Sequence, residues 1–349
     1  MTIHFAVLGD GAWGTALAIL LAENPEHRVV LWSARPENAR ILSEHRENLR
    51  LLPGVLIPQS VHLASEIKMA VASANLNVLA IPTIFLRETL SRIGPTLDPR
   101  VPAVSLAKGL ENQTFLRPTE IARDVTGFER LAVLSGPSHA EEVSHGCPTT
   151  VVAASDDYDL ARWLQQCFHS ERFRVYTNHD MVGVELAGAL KNIIGIAAGI
   201  SDGLGFGDNA KAALMTRGLV EMARFGVALG AEPQTFFGLA GLGDLITTCV
   251  SRHGRNRRVG ERLAAGEKLA DILASTSMVA EGVYTAHAVH DRAVKMGIDM
   301  PITAEIYRVL YEGKSPDAAV RDLMLREPTS EARRGSRSAG LDQHQKNGG

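Results

Sequence analysis

Lys191 is the side chain best placed to do chemistry. It stands with Asn192 inside Leu186-Ala-Gly-Ala-Leu-Lys-Asn-Ile-Ile-Gly195, a helix-like stretch that is apolar nearly all round. A lysine so enclosed cannot easily lead its ammonium to water, and burial both opposes the charge and lowers the pKa. A lysine moved toward neutrality is a good general acid and base; the same lysine in a buried ion pair would serve structure alone. Asp244, in Gly241-Leu-Gly-Asp-Leu245, offers a carboxylate after a glycine-rich turn. It would orient or charge-pair the lysine, or it would N-cap a helix, the commoner role of such an aspartate. Ser251-Arg-His-Gly-Arg-Asn-Arg-Arg258 gathers several guanidiniums at one loop-to-helix junction. That is either a phosphate clamp or a solvated basic helix end.

A further pattern lies at the start of the chain. Gly9, Gly11 and Gly14 form G-x-G-x-x-G after the apolar run at 3–8 and before a helix-like stretch at 15–22. The first glycine permits a tight turn, the second lets the backbone approach a pyrophosphate, and the third lets helix pack on strand. The helix N-terminus then stabilises phosphate charge. The motif alone is weak and also suits a glycine-rich turn with no ligand; its strand-turn-helix context points to dinucleotide binding. An acidic residue ending the second strand takes the ribose 2′-hydroxyl of NAD. Here Trp32-Ser33-Ala34-Arg35 brings no carboxylate before Glu37. Arg35 would instead pair with a 2′-phosphate, or stand as a solvated loop residue. NAD or NADP is expected, with NADPH favoured.

These residues need elements to position them. Apolar, β-branched runs at 3–8, 28–32, 78–81, 103–106, 131–134 and 149–153 read as buried strands, and helix-like segments separate many of them. The alternation predicts an α/β, doubly wound, mostly parallel sheet of Rossmann type. After about Tyr176 no clear strand run appears. Helix-like segments follow at 184–200, 210–229, 257–265, 283–296 and 301–311, and the first, apolar all round, should lie at the centre of an all-α domain. The expected organisation is a dinucleotide-binding domain at 1–180, an all-α substrate and catalytic domain at 181–327, and a polar, disordered tail at 328–349.

Bulk properties set limits. A chain of 349 residues exceeds one ordinary core. A formal net charge of -3 gives no general argument for nucleic acid or an anionic membrane. No uninterrupted apolar run reaches the roughly 20 residues of a membrane span. Phe5 to Leu21 mimics a signal peptide, but it lacks a basic start and is interrupted by Asp10 and glycines. Cys147, Cys167 and Cys249 are few and widely spaced. They read as free core thiols of a reducing compartment, so a cytoplasmic location is expected. No clustered ligand spacing calls for a metal. The apolar helical half makes a homodimer the expected assembly.

Taken together, the blocks resemble the bacterial-type NAD(P)-dependent glycerol-3-phosphate dehydrogenase family along about 3–325. They are GDGAWGTALA, NLRLLPGVLIP from Asn48, SLAKGLE around Lys108, LSGPSHAEEV from Leu134, ELAGALKNIIGIAAGISDGLGFGDNAKAALMTRG, GLAGLGDLITTC, GRNRRVG and VAEGV. The resemblance implies the two-domain plan of 6-phosphogluconate dehydrogenase. It also implies interconversion of dihydroxyacetone phosphate and sn-glycerol 3-phosphate, supplying phospholipid synthesis. It makes Lys191 the proton donor and acceptor at the substrate C2 oxygen and places Lys108 between substrate and cofactor. Asn192 and Asp244 orient substrate and Lys191. Gly136, Ser138, Gly254, Arg255 and Asn256 join Lys108, Lys191 and Asp244 around substrate. With Gly9, Gly11, Gly14 and Arg35 from the readings above, the resemblance makes Ala12, Trp13, Lys108, Ala140, Arg255, Val279 and Glu281 the residues expected to face the cofactor; at Ala34-Arg35-Pro36 the family pattern is blurred. The chain departs from the family at Gly254, where many relatives have serine, at Leu51, usually tyrosine, and at His139, usually phenylalanine. Rival readings are a related β-hydroxy-acid dehydrogenase, against which the GRNRR and GDLITTC blocks speak, and a non-catalytic dinucleotide sensor, which would need no lysine in an apolar helix.

Overall fold

A computed structural model describes residues 2–276, 278–327 and 330; apart from Ser330, the tail expected at 328–349 lies outside the described residues. The strands are β1 Ile3–Leu8, β2 His27–Trp32, β3 Glu47–Asn48, β4 Leu52–Leu56, β5 Val61–Ala64, β6 Leu76–Leu79, β7 Ala103–Ser105, β8 Leu131–Ser135, β9 Thr149–Ala154 and β10 Phe173–Asn178. Eight of them form one sheet in the order β10-β9-β8-β7-β6-β1-β2-β5. Every neighbouring pair is parallel except β8 with β9. Strand β1 lies between β2 and β6, where the winding changes direction, so the crevice beyond its carboxyl end is where such a sheet binds ligands. Central strands are covered on both faces, which is why β6, β7 and β8 are buried throughout and β1 from Phe5 onward, with mostly apolar residues.

All six expected strands are present. The sequence reading missed β5, β10 and the antiparallel β3–β4 pair. Edge strands need not be apolar on both faces: in β10, Phe173 and Val175 point inward while Arg174 and Tyr176 face solvent. A period-2 pattern over six residues is weak beside the buried runs.

The chain leaves the sheet after Asn178 and enters helix Met181–Gly203. Asp180 caps it, accepting from the Gly183 amide at 2.7 Å. Its second oxygen accepts from Thr235 Oγ1 at 2.6 Å and the Glu232 amide at 2.8 Å. This helix is long and apolar enough to cross a membrane by length and composition, but 94% of its most apolar window is buried in the protein. Helices Gly207–Ala228, Arg255–Ala264, Glu281–Met296 and Pro301–Tyr311 enclose it. The approach of helix Arg255–Ala264 is unusually close. A methyl group on Gly199 would collide with the carbonyl of Arg257, and one on Gly260 with the carbonyl of Ile196. Backbone therefore meets backbone along this contact.

Helix Pro118–Thr126 is tied to the helical half by a buried carboxylate. Glu185 accepts from Arg117 Nη1 at 2.6 Å, Thr119 Oγ1 at 2.7 Å and the Thr119 amide at 2.9 Å. Of the cysteines, Cys167 and Cys249 are buried free thiols, as expected; Cys147 is free but exposed, not in the core.

Candidate active site

The turn after β1 sets one wall of a cleft that runs between the glycine turn and the helical half. Gly9 has φ +122°, a left-handed conformation natural to glycine, and a Cβ there would lie 2.5 Å from the Ala80 carbonyl oxygen. Helix Ala12–Leu21 begins directly after, with Gly11 at its N-cap and no side-chain cap. Nothing lies within 4 Å of the space a Gly11 side chain would fill. Uncapped amides facing an open cradle are what a pyrophosphate requires.

Lys191 occupies the opposite wall, about 7% exposed. Its Nζ donates to Asp244 Oδ1 at 2.7 Å and to Thr248 Oγ1 at 2.6 Å. Burial drives the Lys191 pKa down to about 8; the Asp244 carboxylate works against this, and the charges of Lys108 and Arg255 add to it. Asp244 begins helix Asp244–Val250 but is not its cap, which is Gly243. Its other oxygen, Oδ2, accepts from Lys108 Nζ at 2.8 Å. Burial opposes the Asp244 charge, and the two ammoniums prevail, holding the carboxyl below its ordinary range. Lys108, in the loop after β7, also donates to the Gly136 carbonyl at 2.9 Å.

A second chain of contacts runs through asparagines. Asn192 donates to the Lys108 carbonyl at 2.7 Å. Its Oδ1 accepts from Asn256 Nδ2 at 2.9 Å, and Asn256 Oδ1 accepts from the Gly282 amide at 3.0 Å. Glu281, the first residue of helix Glu281–Met296, accepts from the Thr83 amide at 2.6 Å. Burial raises its carboxyl pKa.

The structure brings most expected residues to one cleft: Gly11, Ala12, Trp13, Gly14, Lys108, Ser138, Ala140, Lys191, Asn192, Asp244, Gly254, Arg255, Asn256, Val279 and Glu281 all line it. Gly9 and Gly136 act from behind the lining. Arg35 does not reach it; exposed after β2, it precedes helix Pro36–His45. The basic cluster divides. Arg255 lines the cleft at the start of helix Arg255–Ala264, whereas Arg257 turns away to Asp202 at 2.7 Å and Glu261 at 2.9 Å. Arg252 and Arg258 are not in the lining, so one guanidinium, not several, serves the site. Thr248, His139 and His253 line the cleft without having been anticipated. For His139, position between Ser138 and Ala140 was the available signal.

Two family models match the chain. The N-terminal model of NAD-dependent glycerol-3-phosphate dehydrogenase covers residues 4–161, and the C-terminal model covers 180–321. A glycerol-3-phosphate dehydrogenase (NAD(P)+) of Chlorobium phaeobacteroides is 51% identical over 333 residues, spanning 94% of this chain and 99% of that protein. One from Geobacillus thermodenitrificans is 51% identical over 326 residues, spanning 93% and 95%. The crystal structure of glycerol-3-phosphate dehydrogenase from Coxiella burnetii superposes with a TM-score of 0.89 at 38% identity, covering 93% of this chain and 99% of that one. With both halves matched and relatives similar from end to end, this chain belongs to the NAD-dependent glycerol-3-phosphate dehydrogenase family.

Proposed function

We propose that this protein reversibly interconverts dihydroxyacetone phosphate and sn-glycerol 3-phosphate with NAD(P)H, a supply of glycerol 3-phosphate for phospholipid synthesis. The observation that carries the reading is the placement of Lys191, with its lowered pKa, on Asp244 within the cleft that also holds the glycine turn. The fit to a dinucleotide rests on the uncapped helix end at Gly11 and the open space beside it. Gly11, Ala12, Trp13 and Gly14 would hold the pyrophosphate, and Lys108, Ala140, Arg255, Val279 and Glu281 the nicotinamide half. Arg35, beyond the cleft, would reach a 2′-phosphate and so favour NADPH.

When bound, the reduced nicotinamide supplies a hydride to the substrate C2 carbon. Lys191 gives a proton to the C2 oxygen and stabilises its developing negative charge. Asp244 holds Lys191 and Lys108 in one place. Arg255, with Gly254 and Asn256, binds the phosphate end, so remote binding energy positions C2. In the reverse direction neutral Lys191 takes the proton back. We take 1–180 as the dinucleotide domain and 181–327 as the catalytic domain.

The test is loss of reduced-nicotinamide absorbance with dihydroxyacetone phosphate, run in parallel with NADH and NADPH. Substrate-dependent oxidation supports the reading; none, in folded and cofactor-bound protein, discards the substrate. We also propose a cytoplasmic homodimer, supported by large exposed apolar side chains (Val220, Val227, Phe237, Ile246, Val250) on the helical half. Light scattering after gel filtration checks its mass.

A further inference from the structure

His139 stands at the start of helix Ala140–Ser144 but makes no capping bond. The residue is part of the cleft lining, and its ring Nε2, just beneath that surface, is buried with no hydrogen-bond partner among the described residues. A buried ring nitrogen without a partner marks a place where something else belongs. Across the cleft stands His253, its ring centroid 6.1 Å away and the planes inclined at 53°, a separation too wide and tilted for stacking. One histidine comes from the loop after β8, the other from the loop before helix Arg255–Ala264, next to Gly254 and Arg255.

The electrostatic setting identifies the occupant. Burial lowers the His139 pKa, the charges of Lys191 and Lys108 lower it further, and Asp244 and Glu141 oppose them. The ring is therefore neutral and retains one N–H to donate. The surrounding field, with Lys191, Lys108 and Arg255 on the same cleft, favours an anion. A neutral donor adds a directed bond to such an anion without adding to the repulsion among the cations.

We propose that His139 is a ligand-contacting residue that donates its buried ring N–H to the phosphate of the bound substrate, completing the anion subsite begun by Arg255. This rests on the substrate reading above. It gives the loop at 136–140 a part in selecting phosphorylated over unphosphorylated ligands, beyond the expected contacts of its neighbours Ser138 and Ala140.

The test compares wild type with His139→Phe, which keeps an aromatic ring and removes both nitrogens, and His139→Gln, which keeps an N–H donor. Steady-state kinetics give kcat and KM for dihydroxyacetone phosphate. Calorimetry of the cofactor-bound protein with inorganic phosphate gives an affinity that needs no turnover. In His139→Phe, KM should rise about tenfold, the scale of one hydrogen bond to a charged group. The phosphate Kd should rise in parallel, with kcat within about twofold and the KM for NADPH unchanged. His139→Gln should recover most of the loss. An unchanged phosphate Kd in His139→Phe overturns the proposal, as does a KM change for NADPH equal to that for substrate, which would make the residue a cofactor contact. Wild type that binds phosphate through His139 yet does not turn over dihydroxyacetone phosphate would instead overturn the substrate reading and leave the anion contact standing. Melting curves confirm that both variants fold.

Discussion

The side-chain amide of Asn256 donates to the side-chain carbonyl of Asn192 at 2.9 Å. Through that bond the loop carrying Lys108, the helix carrying Lys191, the helix carrying Arg255 and the first turn of helix Glu281–Met296 are linked in series. Removing either side chain leaves a buried partner unsatisfied, at about 1–3 kcal/mol. Asn192→Ala and Asn256→Ala should therefore couple, their double mutant departing from additivity by about 0.5–3 kcal/mol in denaturant melts. Additive losses would mean the relay does not act as a unit.

Lys191 titrates at about 8 in the folded protein, against an ordinary 10.5. Ketone reduction requires the ammonium, so its kcat should fall as pH rises through about 8. Alcohol oxidation requires the amine and should gain over the same range. Lys191→Met should lose about 10²–10⁴-fold in kcat and abolish that titration in the pH–rate profile. Stability carries the matching sign: between about 8 and 10.5 the unfolded chain holds a proton the folded one has released, so the Lys191 contribution rises with pH.

Asp244→Asn deprives two ammoniums of their carboxylate. Breaking a buried pair from one side destabilises by about 3–5 kcal/mol, measurable as a lower melting temperature. With the raising influence gone, the Lys191 pKa should fall further, moving the limb of the reductive pH profile to lower pH. A limb that stays in place would show that Asp244 does not govern Lys191.

Gly199→Ala places a methyl group against the Arg257 carbonyl. The helices must separate, at about 1–3 kcal/mol for overpacking. Because Arg255 rides on the displaced helix, the KM for dihydroxyacetone phosphate should rise more than kcat falls. The converse split, with kcat losing more, would argue that this contact does not set the phosphate end.

Arg35 is exposed, so a pair with a 2′-phosphate is screened by water. Arg35→Ala should raise the KM for NADPH by only about two- to fivefold and leave NADH unchanged. Equal effects on both cofactors would remove the basis for favouring NADPH.

What the sequence disclosed followed from how local each signal was. The glycine turn, the six buried strands and a lysine amid apolar neighbours are written within a few residues each. That Asp244 would sit between two lysines was not, because Lys108 is 136 positions away. The arginine cluster misled for a related reason. Arg255 and Arg257 are adjacent in composition but point to different sides of a helix, one to the cleft and one to Asp202. His139 lies in LSGPSHAEEV and His253 in the Ser251–Arg258 stretch, but nothing in either stretch pairs the two, and only the fold brings them together.

The glycines where helices Met181–Gly203 and Arg255–Ala264 touch also act as a gauge. Side chains can yield by changing rotamer, but two backbones in contact cannot. The spacing of the Lys191 helix from the Arg255 helix is therefore set by main chain at these glycines, with the Asn192–Asn256 bond beside them. A ligand with one more carbon between carbonyl and phosphate would find no slack at that contact, and would have to slide one helix along the other to fit.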